Sequence, residues 1–88
     1  MTIQEIRRFI QVELMNDPSA QVADDEDLLL SGRLDSLGVM RLVAHLQETL
    51  GMEIPPEDVV LENFGSLRRI QTYVATVTSQ REATQLRP

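Results

Sequence analysis

The 88-residue sequence predicts an all-α fold, a four-helix bundle of three main helices and a short third helix, with a long loop between helices 1 and 2. Apolar residues recur at helical spacing in three separate segments. Residues that start or stop helices bound these segments, and no segment shows the alternation typical of a strand. We expect one domain over residues 1–79, followed by a frayed polar tail over residues 80–88.

The first helix is predicted over residues 2–15, where Thr2 and Glu5 have the spacing of a capping box. Its apolar stripe consists of Ile3, Ile6, Ile10 and Leu14. The sequence Asn-Asp-Pro-Ser at residues 16–19 is expected to stop this helix, because the residue before a proline is disfavoured in helical conformation.

A long acidic loop is predicted over residues 17–35, where six acidic side chains face one basic residue, Arg33. Nineteen residues without clear periodicity is long for a compact domain. We therefore expect three consecutive leucines, Leu28, Leu29 and Leu30, to pin the loop to the core. The Arg68-Arg69 pair is expected to balance the charge of this loop.

The second main helix is predicted over residues 36–50, with Asp35 or Ser36 as its N-cap. Gly51 is a natural residue to follow its last turn. The apolar stripe consists of Val39, Leu42, Val43, Leu46 and Leu50.

The third, short helix is predicted as a helical turn over residues 56–60, with Pro56 near its first position. A second turn is predicted over residues 62–65. The last helix is predicted over residues 67–79, with Ser66 as its N-cap. Its apolar stripe consists of Leu67, Ile70, Tyr73 or Val74, and Val77.

Composition excludes several classes of function. The chain has no Cys, which removes disulfides, thiolate metal sites and a cysteine nucleophile. Its single histidine, His45, rules out a multi-histidine metal site and is expected to be a surface or boundary residue. The net charge of −6 disfavours binding to nucleic acids and anionic membranes. Without an apolar segment of spanning length or a signal-peptide pattern, we expect a cytoplasmic protein.

The residues that could carry chemistry lie where the acidic loop meets the second helix. A serine in the position of Ser36 is most often only a helix cap. The alternative is an exposed hydroxyl that awaits modification, because a helix N-terminus favours a phosphate group. A hydrolase is not expected, because His45 lies more than two helical turns beyond Ser36 and no other base is at hand.

The sequence Leu-Asp-Ser-Leu at residues 34–37, followed by a helix, resembles the attachment motif of acyl carrier proteins and peptidyl carrier proteins. The order and spacing of the other elements over residues 2–79 are similar to those of this family. The resemblance implies an acyl-carrier-protein-like bundle that catalyses nothing itself. It also implies 4′-phosphopantetheine on Ser36, with Asp35 and Leu37 as the adjacent motif residues.

This resemblance implies a carrier that holds acyl or aminoacyl groups as thioesters and delivers them to other enzymes. The implied partners are a phosphopantetheinyl transferase that uses coenzyme A, an acyl- or aminoacyl-loading ligase, and acyltransferase or synthase enzymes. Carriers of fatty-acid synthesis resemble one another in a strongly acidic second helix, whereas here Arg41 and Glu48 cancel. Polyketide, nonribosomal peptide or aminoacyl pathways are therefore favoured over a fatty-acid-type pathway, and a monomer is expected.

The exposed face of the second helix is expected to dock partner enzymes through Leu37, Met40, Arg41 and Ala44. The alternative for Leu37 and Met40 is partial burial against the loop. The alternative for the whole protein is an unmodified helical adaptor that shares the carrier fold. A carrier needs the hydroxyl of Ser36, whereas an adaptor does not.

Overall fold

The computed structural model describes residues 1–85, with the side chains of residues 1–81, and within this range it contains helices and no strand. The four-helix, all-α prediction is confirmed. The elements are α1 (Ile3–Phe9), which continues as a π-helical turn (Ile10–Leu14), α2 (Ser36–Leu50), a 3₁₀ turn (Pro56–Asp58), α3 (Leu61–Phe64) and α4 (Leu67–Gln85). None of these helices combines the length and apolar character that crossing a bilayer requires.

The first helix begins with the predicted capping box. The Glu5 N–H donates to Thr2 Oγ1 at 3.2 Å, and the Thr2 N–H donates to Glu5 Oε1 at 3.2 Å. The hydrogen bonds that the Thr2 N–H and the Thr2 hydroxyl donate to Glu5 Oε1 lower the pKa of the Glu5 carboxyl. The helix widens after Phe9, so that the Met15 N–H reaches back to the Ile10 carbonyl at 2.8 Å. Asn16, at φ +53°, ends it where the sequence predicts.

The second helix has the predicted bounds and the predicted inner face. Leu42 and Leu46 are fully buried, and the other stripe residues are partly buried against the core: Val39, Val43 and Leu50. Gly51 adopts the left-handed conformation at φ 65° and donates its N–H to the Gln47 carbonyl at 2.9 Å.

The third helix is shifted from its predicted position. Residues 56–58 form only a 3₁₀ turn, and the α-helical turn is Leu61–Phe64, where the sequence predicted a second turn over residues 62–65. Val59 leaves the helical region with ψ 76°, so the earlier turn cannot continue. Burial of Phe64 then holds α3 against the core. The residue after α3 is a glycine, Gly65, because a Cβ at this position would lie only 2.6 Å from the Leu61 carbonyl oxygen.

The last helix starts as predicted and ends later. Ser66 is its cap, because the Arg69 N–H donates to Ser66 Oγ at 3.2 Å. The helix continues to Gln85, six residues beyond the predicted end. Arg81 ties this extension to α2 by donating to the Leu50 carbonyl at 2.6 Å. Residues 80–85 of the predicted frayed tail are therefore helical, and residues 86–88 lie outside the described residues.

The core is built from the predicted apolar stripes together with residues of the loop. Both candidates on α4, Tyr73 and Val74, are buried. The buried apolar side chains are Ile6, Ile10, Val22, Leu28, Leu34, Leu42, Leu46, Ile54, Phe64, Leu67, Ile70, Tyr73 and Val74.

Leu28 anchors the centre of the long loop. Its side chain is 0% exposed, and its N–H donates to the Gly65 carbonyl at 2.9 Å. Leu29 packs partly against the core. Leu30 is 76% exposed, so the prediction that it pins the loop is wrong. The cause is a tight turn in which Asp27 Oδ1 accepts the N–H groups of Leu29 and Leu30.

Ion pairs hold the acidic loop to the helices on either side. Arg7 of α1 pairs with Asp24, and Arg68 of α4 pairs with Asp25 at 2.7 Å and with Asp24 at 3.6 Å. Arg68 thus balances the loop as predicted. Each pair is partly exposed, so water screens its contribution to stability. Their combined effect is to neutralise carboxylates that would otherwise repel one another.

We predict that Leu28→Ala lowers the free energy of unfolding by about 2–5 kcal/mol, because it leaves a cavity under the loop. The matched control is Leu30→Ala, which should change that free energy by less than about 0.5 kcal/mol, since the side chain is exposed. Urea denaturation followed by circular dichroism measures both. Equal losses in the two variants would contradict the anchoring role of Leu28.

Candidate functional site

Ser36 is the first residue of α2, and its side chain is exposed. The helix is capped by Asp35, whose Oδ1 accepts the Gly38 N–H at 2.8 Å. The interpretation of Ser36 as a cap is therefore wrong. Its hydroxyl makes no hydrogen bond to another residue in the described part of the chain. The structure thus presents a free hydroxyl at the start of a fifteen-residue helix.

The surroundings of this hydroxyl suit a phosphate ester. The first intrahelical hydrogen bond of α2 joins the Val39 N–H to the Asp35 carbonyl at 2.9 Å. The N–H groups of Ser36 and Leu37 precede that bond and have no acceptor within the helix. Unpaired N–H groups and the positive end of the helix dipole favour an anion there. The Asp35 carboxylate offsets part of this field, but its oxygen is engaged by Gly38.

Two residues to which the sequence analysis gave no role in the site fix the position of Ser36. Leu34 is buried, and its N–H donates to the Leu28 carbonyl at 2.8 Å, so the chain enters α2 from an anchored point. Gly38 lets the cap close, because a Cβ there would lie 3.3 Å from Asp35 Oδ1. The sequence did contain a signal for the role of Gly38. Glycine is unfavourable inside helices, so a glycine at the third position of a predicted helix indicates a local requirement for it.

An open groove of about 600 Å³ runs beside Ser36. Its lining is mostly apolar and comes from the loop, α2 and the segment after the 3₁₀ turn. The lining residues are Leu29, Gly32, Leu34, Asp35, Ser36, Val39, Met40 and Val59. No pattern in the sequence indicated that Val59, 23 residues after Ser36, lies here.

The predicted docking residues lie on one exposed face of α2, next to Ser36. Leu37 is 65% exposed and Met40 is 68% exposed, so their predicted alternative, burial against the loop, is wrong. Arg41 and Ala44 are exposed as well. Spacings of three and four residues bring these four side chains together on the helix. Arg41 forms no ion pair or hydrogen bond with any residue that the structure describes.

His45 lies at the boundary of the core, as predicted. Its ring stacks on Phe9 with the centroids 3.9 Å apart and the planes 15° apart. This contact joins α2 to α1, two and a half helical turns beyond Ser36, so the imidazole is not a base for the hydroxyl. Within the described residues, no three His, Asp or Glu side chains are grouped so that they could hold a metal ion.

A helical bundle that presents an unactivated serine on an open surface has the features of a carrier domain. A family model described as "Phosphopantetheine attachment site" matches residues 4–74, and the chain belongs to this family. Its members carry a 4′-phosphopantetheine prosthetic group and are not catalysts. The exposed hydroxyl, the open helix start and the adjoining groove fit such a group. Carriers of this kind work with phosphopantetheinyl transferases and with ligases or acyltransferases.

Two curated relatives share this class. A D-alanyl carrier protein of Streptococcus suis (strain 98HAH33) is 32% identical over 71 residues, which cover 80% of this chain and 87% of the relative. A D-alanyl carrier protein of Abiotrophia defectiva is 32% identical over 62 residues, which cover 70% of this chain and 78% of the relative. Both similarities cover most of the bundle. The protein is therefore a carrier protein of the acyl carrier protein family.

We predict that Asp35→Ala lowers the free energy of unfolding by about 1 kcal/mol, because α2 loses its cap. Asp35→Asn is the matched control, since its amide oxygen can still accept the Gly38 N–H and should keep most of that stability. Thermal and urea unfolding measure the difference. If Asp35→Ala is as stable as the wild type, the hydrogen bond to Gly38 does not stabilise the helix start.

Proposed function

We propose that Ser36 bears the 4′-phosphopantetheine group and that this protein is an aminoacyl carrier. The observation that supports the attachment residue most directly is the Ser36 hydroxyl, which is exposed at the start of α2 while Asp35 alone serves as the cap. The chain has no Cys, so a bound phosphopantetheine supplies the thiol on which an acyl group travels. The other contribution of the chain to the carrier function is to place Ser36 at the exposed start of α2.

The proposed modification is a transfer from coenzyme A. Ser36 Oγ bonds to the phosphorus next to pantetheine, the phosphoanhydride bond breaks, and 3′,5′-adenosine diphosphate leaves with the electrons of that bond. The hydroxyl proton passes to a base of the transferase, because His45 is held against Phe9. Asp35 is adjacent, and we assign its carboxylate to orienting the Mg²⁺ ion or the donor in the transferase site.

The cargo that we propose is an aminoacyl group, and D-alanyl in particular. Both relatives above are named D-alanyl carrier proteins. The neutral α2 also separates this chain from the strongly acidic pattern of fatty-acid carriers. Among the pathways that the sequence predicted, aminoacyl loading is therefore favoured over polyketide, nonribosomal peptide and fatty-acid-type pathways. The loading enzyme is then an aminoacyl ligase. The cytoplasmic location and the monomeric state stay predictions from the sequence.

We assign the docking of partner enzymes to Leu37, Met40, Arg41 and Ala44. The two exposed apolar side chains offer the desolvated centre that a transient interface needs, and methionine adapts to different partners. Arg41 adds an unpaired positive charge to this face, whereas the loop before it and the segment after it are acidic. An acidic group on the loading ligase would complement Arg41.

We predict that incubation with coenzyme A, Mg²⁺ and a broad-specificity phosphopantetheinyl transferase adds one phosphopantetheine to the wild type and none to Ser36→Ala. Intact-mass spectrometry measures the gain. The variant should remain folded, because its hydroxyl makes no hydrogen bond that the fold needs. Modification of Ser36→Ala at another residue would contradict the assignment. A folded wild type that is never modified would favour the adaptor function instead.

We predict that Arg41→Glu lowers kcat/KM for the loading ligase by about threefold to tenfold, because one interfacial charge contributes on the order of 1 kcal/mol to encounter. Added salt should reduce the difference in kcat/KM between Arg41→Glu and the wild type. Arg8→Glu is the matched control: Arg8 is exposed on α1 and also forms no ion pair among the described residues. Equal rates for the two variants would remove Arg41 from the docking face.

A further inference from the structure

Tyr73 joins α4 to the segment that follows α2. Its side chain is only 8% exposed, and its ring packs on Phe64 with the centroids 5.5 Å apart. Its hydroxyl donates a hydrogen bond to Asp58 Oδ2 at 2.7 Å. Burial and the neighbouring Asp58 carboxylate raise the pKa of Tyr73 well above its ordinary value, so the phenol stays a donor at neutral pH.

Asp58 lies at the end of the 3₁₀ turn and is held at several atoms. Its N–H donates to the Pro55 carbonyl at 2.9 Å. Its carbonyl accepts from Asn63 Nδ2 at 2.9 Å and from the Val60 N–H at 3.0 Å. The next residue is Val59, which lines the groove beside Ser36. The position of Asp58 therefore determines where this wall of the groove stands.

The segment over residues 52–60 needs such support because it contains no α-helix and only one 3₁₀ turn. At its start, the Ile54 N–H donates to Gln47 Oε1 of α2 at 2.8 Å. At its end, the Tyr73 hydroxyl ties Asp58 to α4. The first contact fixes the segment to the helix that begins with Ser36, and the second fixes it to the core. Loss of the second contact removes the tie between Asp58 and α4 and leaves the end that carries Val59 held only by local hydrogen bonds to Pro55, Pro56 and Asn63.

We propose that Tyr73 is a positioning residue for the modification of Ser36: through Asp58 it holds Val59 as a fixed wall of the groove that a phosphopantetheinyl transferase covers when it reaches the serine. Tyr73 itself does not line the groove. This inference rests on the proposed attachment at Ser36. It adds to that proposal a residue 37 positions further along the chain.

We predict that Tyr73→Phe raises KM for modification by a broad-specificity transferase about threefold to tenfold, with kcat within about twofold of the wild type. The reason is that a mobile wall weakens docking while the serine stays in place. Thr76→Val is the matched control. It removes a hydroxyl from the same helix that donates only to the Thr72 carbonyl, at 2.9 Å. Its KM should equal that of the wild type.

A second pair of variants tests the other end of the hydrogen bond. Asp58→Ala removes the acceptor and should raise KM as Tyr73→Phe does. Asp58→Asn keeps an acceptor oxygen and should restore KM to within about twofold of the wild type. Amide hydrogen exchange at residues 57–60 should quicken about tenfold in Tyr73→Phe and Asp58→Ala, and should stay unchanged in Asp58→Asn and Thr76→Val.

Tyr73 is the one tyrosine of the chain, and there is no Trp, so its ionisation can be followed by ultraviolet absorbance. In the wild type the phenol should ionise only well above its ordinary pKa. The stability that its neutral form contributes is therefore present below that ordinary pKa and lost as the pH rises towards the folded value. In Asp58→Ala the pKa should fall towards the ordinary value. Burial is the larger cause of the raised pKa and remains in Asp58→Ala, so the fall should be partial. A loss of packing would remove the contribution of burial as well and bring the pKa to its ordinary value.

Several outcomes would overturn the inference, and they differ from failure of the proposed function. An unmodified wild type would reject the attachment at Ser36 and the inference with it. A modified wild type with an unchanged KM in Tyr73→Phe would reject the positioning role alone. An equal rise in KM for Thr76→Val would reject it as well. If Tyr73→Phe does not fold, comparison of Asp58→Ala with Asp58→Asn decides, and equal KM values in that pair would reject the role.

Discussion

The burial of Leu28 is the constraint on which the site depends. Its N–H donates to the Gly65 carbonyl, where α3 meets α4, and its carbonyl accepts the Leu34 N–H, two residues before Ser36. One buried leucine thus connects the far side of the bundle to the start of α2. A nineteen-residue loop rich in carboxylates would otherwise sample many paths at a high entropic cost. Because Leu28 is anchored, the loop consists of two shorter segments. The second segment leads to Ser36 at the start of α2.

Charge is distributed so that the fold and the proposed docking face use different residues. The carboxylates of the loop that would repel one another are paired with Arg7, Arg33 and Arg68, which come from α1, the loop and α4. Hydrogen bonding by Arg33 lowers the pKa of the Glu26 carboxyl. Arg41 takes no part in this network among the described residues. The basic residues that neutralise the loop are therefore different from the cation next to Ser36, and Arg41 stays unpaired beside the exposed Leu37 and Met40.

Features specified by local chemistry could be predicted from the sequence, whereas features specified by distant contacts could not. The Thr2–Glu5 box, the bounds of α2 and the Ser66 cap follow from neighbouring residues. The exposure of Leu30 depends on a turn made by Asp27, and the length of α4 depends on Arg81 reaching Leu50. The exposure of Leu37, Met40, Arg41 and Ala44 was predicted from helical periodicity. The groove was not, because Val59 reaches it through a register set by Phe64 and Tyr73.

The groove beside Ser36 is supported from both sides by the same part of the core. On the loop side, Leu34 depends on Leu28, which is bonded to Gly65 immediately before α4. On the other side, Val59 depends on Asp58, which is bonded to Tyr73 within α4. Because the chain supplies no base and no thiol of its own, its contribution to chemistry is the position of one hydroxyl and of the surface around it. In the function that we propose, α4 therefore sets the geometry of the surface that enzymes reach at Ser36.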